Sequence, residues 1–461
     1  MDTTGSSLAG LNASHKSAKV RASGESCVPA GRIFNGAFLL ALLLIFSASP
    51  FNLHHAPNRL SAQPAASTRD QDAAPLTENQ ANRDNYVGDA ACRSCHQAID
   101  QTYLRTGHHL TSQLPSESSI TGKFTAPSNI LPTADPNLHF AMTIRDGSFF
   151  QSAVFGHPPE QLTHTERMDV VVGSGERGQS YLYWKGDRLF QLPVSYWTPL
   201  GEWVNSPGYT DGTADFTRPI DPRCLECHAG YIASIPSGPP ENRYQKTGLV
   251  LGLTCERCHG PGRQHVAIEQ ARAAPAQVSP PKSSPDATIA VDFAVVNPKN
   301  LSRERQVDVC SQCHGGLGEP RAPAFSFVPG RALADYVQLV IPPADAKLDV
   351  HGNQVALLER SHCYQSSAKM SCTTCHDVHA PERPAAAYSE RCLGCHKPES
   401  CGEYPKLGPD IAKNCVDCHM QVQDSDVIVS NVAGKQVKMR IRNHWIKIYA
   451  APVSNHPAPQ N

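Results

Sequence analysis

Large apolar side chains are scarce in this sequence. Aromatic residues make up 7% of it, with 4 Trp and 14 Phe, and there are 6 Met. Over 461 residues the apolar share is 40%, a modest supply for two or three ordinary domains. That shortage argues against large cores filled by side chains alone. An excess of charge is missing too, since 41 basic residues face 42 acidic ones for a net charge of -1. The balance gives no sign of nucleic acid or an acidic surface as partner. The apolar run "GAFLLALLLIFSA" (36 to 48) has 13 residues, short of the roughly 20 that a spanning helix needs.

That run follows Lys16, Lys19, Arg21 and Arg32 and reads as an export h-region, with cleavage near Ala48 or Ala62. The segment before it is long, so residues 1 to 62 are an export signal or a signal-anchor. An anchor that stays uncleaved would attach the chain to a membrane. Residues 63 to 85 are polar and rich in Ala and Pro, as expected of a flexible linker. The expected location is periplasmic or otherwise exported.

Cysteine is abundant: 17 residues, of which 14 fall into seven copies of one pattern. The copies are Cys92-Arg93-Ser94-Cys95-His96, Cys224-Leu225-Glu226-Cys227-His228, Cys255-Glu256-Arg257-Cys258-His259, Cys310-Ser311-Gln312-Cys313-His314, Cys372-Thr373-Thr374-Cys375-His376, Cys392-Leu393-Gly394-Cys395-His396 and Cys415-Val416-Asp417-Cys418-His419. At this composition chance would give about 0.03 such strings. On one helical turn, positions i, i+3 and i+4 project from the same face. Two thiols at that separation can form thioethers with the two vinyl groups of one haem, and the adjacent imidazole reaches the iron from the same side. Zinc sites give no reason for a histidine after every CxxC pair, and dithiol redox pairs need a βαβ context. Seven covalently attached haem c groups are the expected cofactors, with the seven motif histidines as proximal iron ligands. Their macrocycles would supply the apolar surface that the side chains lack, as disulfides support small secreted domains.

Ten further histidines lie outside the export, linker and tail segments: His108, His109, His139, His157, His164, His265, His351, His362, His379 and His444. Ten candidates for seven iron sites favour bis-histidine, low-potential haems. The candidate distal ligands are His109, His139, His164, His265, His362, His379 and His444, while His157 and His351 read as loop residues. His379 follows His376 by three residues, a link of about 10 Å at most. That is too short to round a porphyrin edge, so His379 should serve a neighbouring haem. His265, six residues after His259, follows the same logic. Met420 reads as packing. Cys27 falls in the export segment, and Cys363 with Cys401 form an even pair for which a disulfide is expected.

Along the chain, residues 86 to 220 carry the first motif and a β-rich insert. Residues 221 to 360 carry motifs two to four, and 361 to 455 carry motifs five to seven and a closing hairpin. Lys185-Gly186-Asp187 and Ala433-Gly434-Lys435 are hairpin turns, and 271 to 287 is a Pro/Ala/Ser surface loop.

The stretches "YVGDAACRSCHQAIDQTYLRTGHH", "GSGERGQSYLYWKGDRLFQLPVSYW", "SPGY", "CLECHAGYI", "GLTCERCHGPGRQHV", "VNPKNLSRERQVDVCSQCHG", "SCTTCHDVHAP" and "NCVDCHMQ" together resemble exported multihaem cytochromes c of the doubled-CXXCH type. These are related to the tetrahaem cytochrome of the hydroxylamine pathway and are often fused to tetratricopeptide repeats. The resemblance covers about residues 86 to 450. It implies stacked haem pairs, with distal ligands at His109, His265, His379 and His444. No tetratricopeptide pattern is read after the cytochrome part of this sequence, so a partner bound through such repeats is not expected. The expected fold is mainly α with low regular secondary structure, a multihaem cytochrome c fold organised around stacked haems, plus a small antiparallel β insert and a C-terminal β-hairpin. The expected function is electron transfer between redox partner proteins outside the cytoplasmic membrane. The alternative is a multihaem oxidoreductase acting on small nitrogen or sulfur oxyanions at one open haem; no CxxCK variant, the mark of a lysine-ligated catalytic haem, occurs. A small-ligand sensor with one five-coordinate haem is a third class.

Overall fold

The computed structural model describes residues 83–273, 295–316, 318–340, 343 and 345–449. The chain divides into a unit Met1–Ala65 and a unit Ala66–Asn461. The export segment with Cys27, the linker up to residue 82 and most of the 271–287 loop lie outside the described residues.

Alternating apolar residues build the β part. Strand β1 (Ser112–Gln113) comes first. It is followed by β2 (Ile130–Pro132), β3 (Leu138–Arg145), β4 (Ser148–Phe155) and β5 (Leu162–Arg167), an antiparallel sheet in that order. The β3–β4 turn is Asp146-Gly147, both at positive φ (49° and 71°), the backbone that a two-residue hairpin loop requires. Then come β6 (Val170–Val172), β7 (Gly178–Lys185), β8 (Arg188–Gln191), β9 (Val194–Trp197) and β10 (Glu202–Asn205). With β1 they form a six-stranded sheet in the order β1-β6-β7-β9-β10, β8 pairing β7.

One core serves both sheets. Leu138, Phe140 and Met142 of β3 and Phe149 of β4 pack with Tyr181, Val194, Tyr196 and Trp203. The fully buried Gln151 amide ties β4 to β9 through Val194: its Nε2 donates to the carbonyl at 2.7 Å, and the Val194 N–H donates to its Oε1 at 3.1 Å. A second cluster links this unit to the second motif, since Leu225 packs with Leu182, Leu189 and Tyr244.

The motif-bearing part is built differently. Its helices are short: Asp89–Arg93, Pro222–Glu226, Cys255–His259, Ala385–Cys392 and Cys415–His419, with Arg303–His314 longer. Between residues 353 and 449 the buried apolar side chains among the described residues are Leu357, Tyr364, Ile411 and Val416. Four side chains are too few to hold nearly a hundred residues by hydrophobic burial. The described residues mix short helices with several small sheets.

The closing hairpin pairs Val422–Val432 with Lys435–Arg442 around Ala433-Gly434. Asp426 joins it to the preceding loop, accepting from Lys347 Nζ and Lys438 Nζ at 2.6 Å each. These lysines hold the Asp426 carboxyl down to about 2. A carboxyl depressed in the fold contributes stability above its ordinary range and loses it as pH falls through the folded value. Asp426→Asn should therefore match the parent protein below about pH 2 and melt lower near pH 6. Melting scans from pH 2 to 6 check this; a constant difference across the window would refute it.

Trp203 is 2% exposed, packs edge-on against Tyr196 and Phe124, and donates through Nε1 to the Lys123 carbonyl at 2.7 Å. Trp203→Ala should cost about 3–5 kcal/mol, read as faster hydrogen exchange of the β7 and β9 amides.

Candidate functional site

Each motif sits on a single helical turn. In the first, fifth and sixth, the histidine N–H donates to the carbonyl of the first cysteine at 3.0, 3.0 and 2.9 Å. In the third, the turn Cys255–His259 ends at Gly260, whose φ of 81° closes the helix. The two thiols and the imidazole therefore share one side of each turn.

The motifs touch one another. The Cys92 and Cys255 thiols lie within hydrogen-bonding reach, as do Cys227 and Cys313, Cys310 and Cys372, and Cys392 and Cys415. The third motif meets the fourth through Arg257 Nη2 donating to Gln312 Oε1 at 2.8 Å. The fifth lies in electrostatic reach of the sixth, through Cys375 and Cys392. Contacts thus run from the first motif to the third, fourth, fifth, sixth and seventh, with the second set against the third and fourth. Among the described residues, no three His, Cys, Asp or Glu side chains converge as a bare metal site would require.

Four motif histidines face a second histidine. His96 and His265 have ring centres 6.4 Å apart and planes 17° apart. For His259 and His379 the values are 6.0 Å and 11°, and for His376 and His444 they are 6.2 Å and 25°. His314 and His108 stand 6.2 Å apart, with planes 73° apart. Direct ring stacking would bring the centres closer. A metal–imidazole bond of about 2 Å on each side, plus the ring radii, separates two centres by about 6 Å. The four pairs thus have the spacing that two imidazoles keep around one metal ion, and the residues present fit a haem iron. Each facing histidine arrives from a segment that follows a different motif: His265 faces His96, not the nearby His259, and His379 faces His259, not the nearby His376.

The ring nitrogens are oriented for ligation. Nδ1 of His259 donates to the Val296 carbonyl at 2.8 Å and Nδ1 of His419 to the Lys447 carbonyl at 2.9 Å. Nδ1 of His228 shares a hydrogen bond with Thr111 Oγ1 at 2.9 Å. Bonding at Nδ1 leaves Nε2 as the ligating atom and fixes the ring plane. Desolvation, with neighbouring imidazoles adding, pushes His228, His314 and His444 down to about 4. They are neutral at physiological pH, the form that binds metal.

The other candidates are placed elsewhere. His139 lies on β3 opposite Val154. His164, on β5, packs on Phe216 and pairs its Nε2 with Glu166 at 3.1 Å. His362 begins the short helix His362–Ser366, with its Nε2 beside Ser366 Oγ at 3.5 Å. His109 lies edge-on to Tyr103, and its buried Nδ1 has no hydrogen-bond partner among the described residues. Its neighbour His108, which sequence reasoning did not select, is the one that faces a proximal ring. Nothing in the spacing of a His-His pair distinguishes its two members. His351, read as a loop residue, lies in a bend within electrostatic reach of His228. Cys363 and Cys401 are unbridged, which corrects the expected disulfide. Cys363 sits near Cys375 and Cys392, while Cys401 sits near Cys418.

Inside the third motif, Glu256 is 4% exposed. Its carboxylate accepts N–H groups of Val87, Gly88 and Gly262 at 2.9, 2.9 and 2.8 Å, tying the start of the described chain to the site. Hydrogen bonds to a charged group contribute about 1.5–3 kcal/mol each. Glu256→Ala should free this segment, so that trypsin cuts after Arg83 at least tenfold faster; an unchanged rate would refute the tether.

The family "Cytochrome c554 and c-prime" matches residues 207–260, which contain the second and third motifs. The C-type polyheme cytochrome OmcB of Geobacter sulfurreducens is 26% identical over 164 residues, in strain DL-1 / KN400 and in strain PCA alike. The match covers 34% of this chain and 20% of the relative's length, so the chain spans about a fifth of the curated relatives it matches. A solved structure, outer cell wall cytochrome OcwA, aligns over 79% of this chain and 80% of its own at 18% identity, with a TM-score of 0.48. The sequence matches and the motifs support a multihaem c-type cytochrome with covalently bound haem c.

Proposed function

We propose that this chain is a seven-haem electron-transfer protein working outside the cytoplasmic membrane, passing electrons between redox partner proteins. One observation carries the reading: four proximal histidines each face a second histidine at the spacing of a filled iron site. Two axial imidazoles leave no position for a substrate and suit outer-sphere transfer at low potential.

The proximal ligands would be His96, His228, His259, His314, His376, His396 and His419. The distal ligands would be His265 opposite His96, His379 opposite His259, His108 opposite His314 and His444 opposite His376. The haems supply one-electron chemistry; the chain's part is to anchor, orient and space them. The cysteine contacts support the order first, third, fourth, fifth, sixth, seventh, with the second as a branch. The exposed His96 and His396 lie on the first and sixth motifs, where redox partners would approach. Export follows from the N-terminal apolar run and from covalent haem. Among the described residues no helix is long and apolar enough to cross a membrane.

The second reading, an oxidoreductase for small nitrogen or sulfur oxyanions, would use the motifs of His228, His396 or His419. For these, no facing histidine ring at that spacing is found among the described residues.

Haem stoichiometry, spin state and carbon monoxide binding test the proposal together. Seven haems per chain, a mainly low-spin oxidised spectrum and little change on carbon monoxide addition are expected. A dominant high-spin signal with turnover of nitrite or hydroxylamine would overturn the carrier reading. For the ligand assignment, His379→Ala should convert one haem equivalent to high spin and leave the haem at Cys372 and Cys375 low-spin. No change in spin state would remove His379 from the ligand set.

A further inference from the structure

The two residues between the cysteines of the third motif are both buried charges. Glu256 is satisfied by three N–H donors, as described above. Arg257 is 8% exposed and is held differently. Its Nη2 donates to the Glu226 carbonyl at 3.1 Å and to Gln312 Oε1 at 2.8 Å. Gln312 Nε2 donates back to the Arg257 carbonyl at 3.3 Å. The Phe325 ring lies 5.3 Å from the guanidinium carbon. Arg257 Nε is buried with no hydrogen-bond partner, and no carboxylate pairs with this guanidinium among the described residues. Glu226, whose backbone carbonyl accepts from Arg257, spends its carboxylate on Arg223 and on the Phe325 N–H.

The guanidinium therefore sits where three motifs meet. Glu226 belongs to the second, Arg257 to the third and Gln312 to the fourth. The Cys227 thiol points at the Gln312 carbonyl at 3.8 Å, and the Cys313 thiol at the Glu226 carbonyl at 3.9 Å. The Cys227, Cys258 and Cys313 thiols all feel the Arg257 charge. A buried cation without a counter-ion is unfavourable for folding. In a low dielectric the field of a buried guanidinium is weakly screened.

We infer that Arg257 is a positioning and tuning residue that raises the reduction potentials of the haems anchored by the second, third and fourth motifs above those of the fifth to seventh. This rests on the multihaem reading above. Reduction adds one electron, supplied by a redox partner, and lowers the positive charge at the iron by one. No bond forms or breaks and no proton moves. A fixed cation favours the state with less positive charge and so shifts the couple upward. Electrons entering at the fifth, sixth or seventh motif would then settle at the three-motif junction.

The test is a spectroelectrochemical titration of the intact holoprotein, with haem content measured first. The 73° ring angle of the His108–His314 pair gives a spectroscopic handle. Near-perpendicular ligand planes leave the iron orbitals nearly degenerate, so this haem's low-spin resonance should be more anisotropic than those of the near-parallel pairs. In Arg257→Gln, that resonance should appear at lower potential, along with one or two other steps, while the remaining steps stay in place. Arg257→Lys should restore most of the shift. Glu226→Gln removes a buried negative charge at the same junction and should move the same steps upward. It carries the test alone if Arg257→Gln fails to assemble. Full haem content with unmoved potentials overturns the inference, as does a uniform shift of all steps or a lysine variant as low as the glutamine one. A protein without covalent haem would instead overturn the multihaem reading itself.

Discussion

A single helical turn carrying two thiols and an imidazole is the constraint on which the rest of this structure depends. The turn presents its three side chains to one face, so the polypeptide can grip only one side of whatever is bound there. The opposite side must be supplied from elsewhere. His265, His379, His444 and His108 come from segments tied to other motifs, and each stands about 6 Å from a proximal ring. The result is an interlock in which four of the anchored groups would each be bolted to two distant parts of the chain.

This interlock accounts for the uneven distribution of the core. Residues 112 to 205 fold as sheets around Phe140, Tyr181 and Trp203, a core filled by side chains to which Phe216 and Val432 add. Residues 353 to 449 bury few apolar side chains and consist of turns, short helices and one hairpin. Burying macrocycles would provide the missing apolar contact there. Covalent attachment reduces the freedom of the unfolded chain, as a disulfide does.

Packing motifs against one another also fixes their electrostatic surroundings. Glu256 and Arg257 occupy adjacent variable positions of one motif, yet the Glu256 carboxylate is held by three backbone N–H groups while the guanidinium has no paired carboxylate among the described residues. Burial with this arrangement gives the junction a net local field. Its sign follows from tertiary contacts rather than from the chain's net charge of -1.

The sequence alone determined the anchoring chemistry. Cysteines at i and i+3 with a histidine at i+4 carry their own geometry, because one helical turn relates them. The β-rich insert was legible from alternation, and two hairpins from Lys185-Gly186-Asp187 and Ala433-Gly434-Lys435, whereas the Asp146-Gly147 turn was seen only in the structure. Chain reach alone excluded His379 from the iron beside its neighbour His376, since three residues cannot circle a macrocycle. The partners of the facing histidines were not legible, because pairing is a long-range matter that local spacing does not encode. His108 and His109 are equivalent in sequence; only the turn at residues 107–111 puts His108 against His314. His139 and His164 were candidates on sequence, and the strands β3 and β5 place them away from the motifs. The weight of Arg257 was hidden in a variable position of a repeated motif. Three motifs had to meet before its charge could have a location.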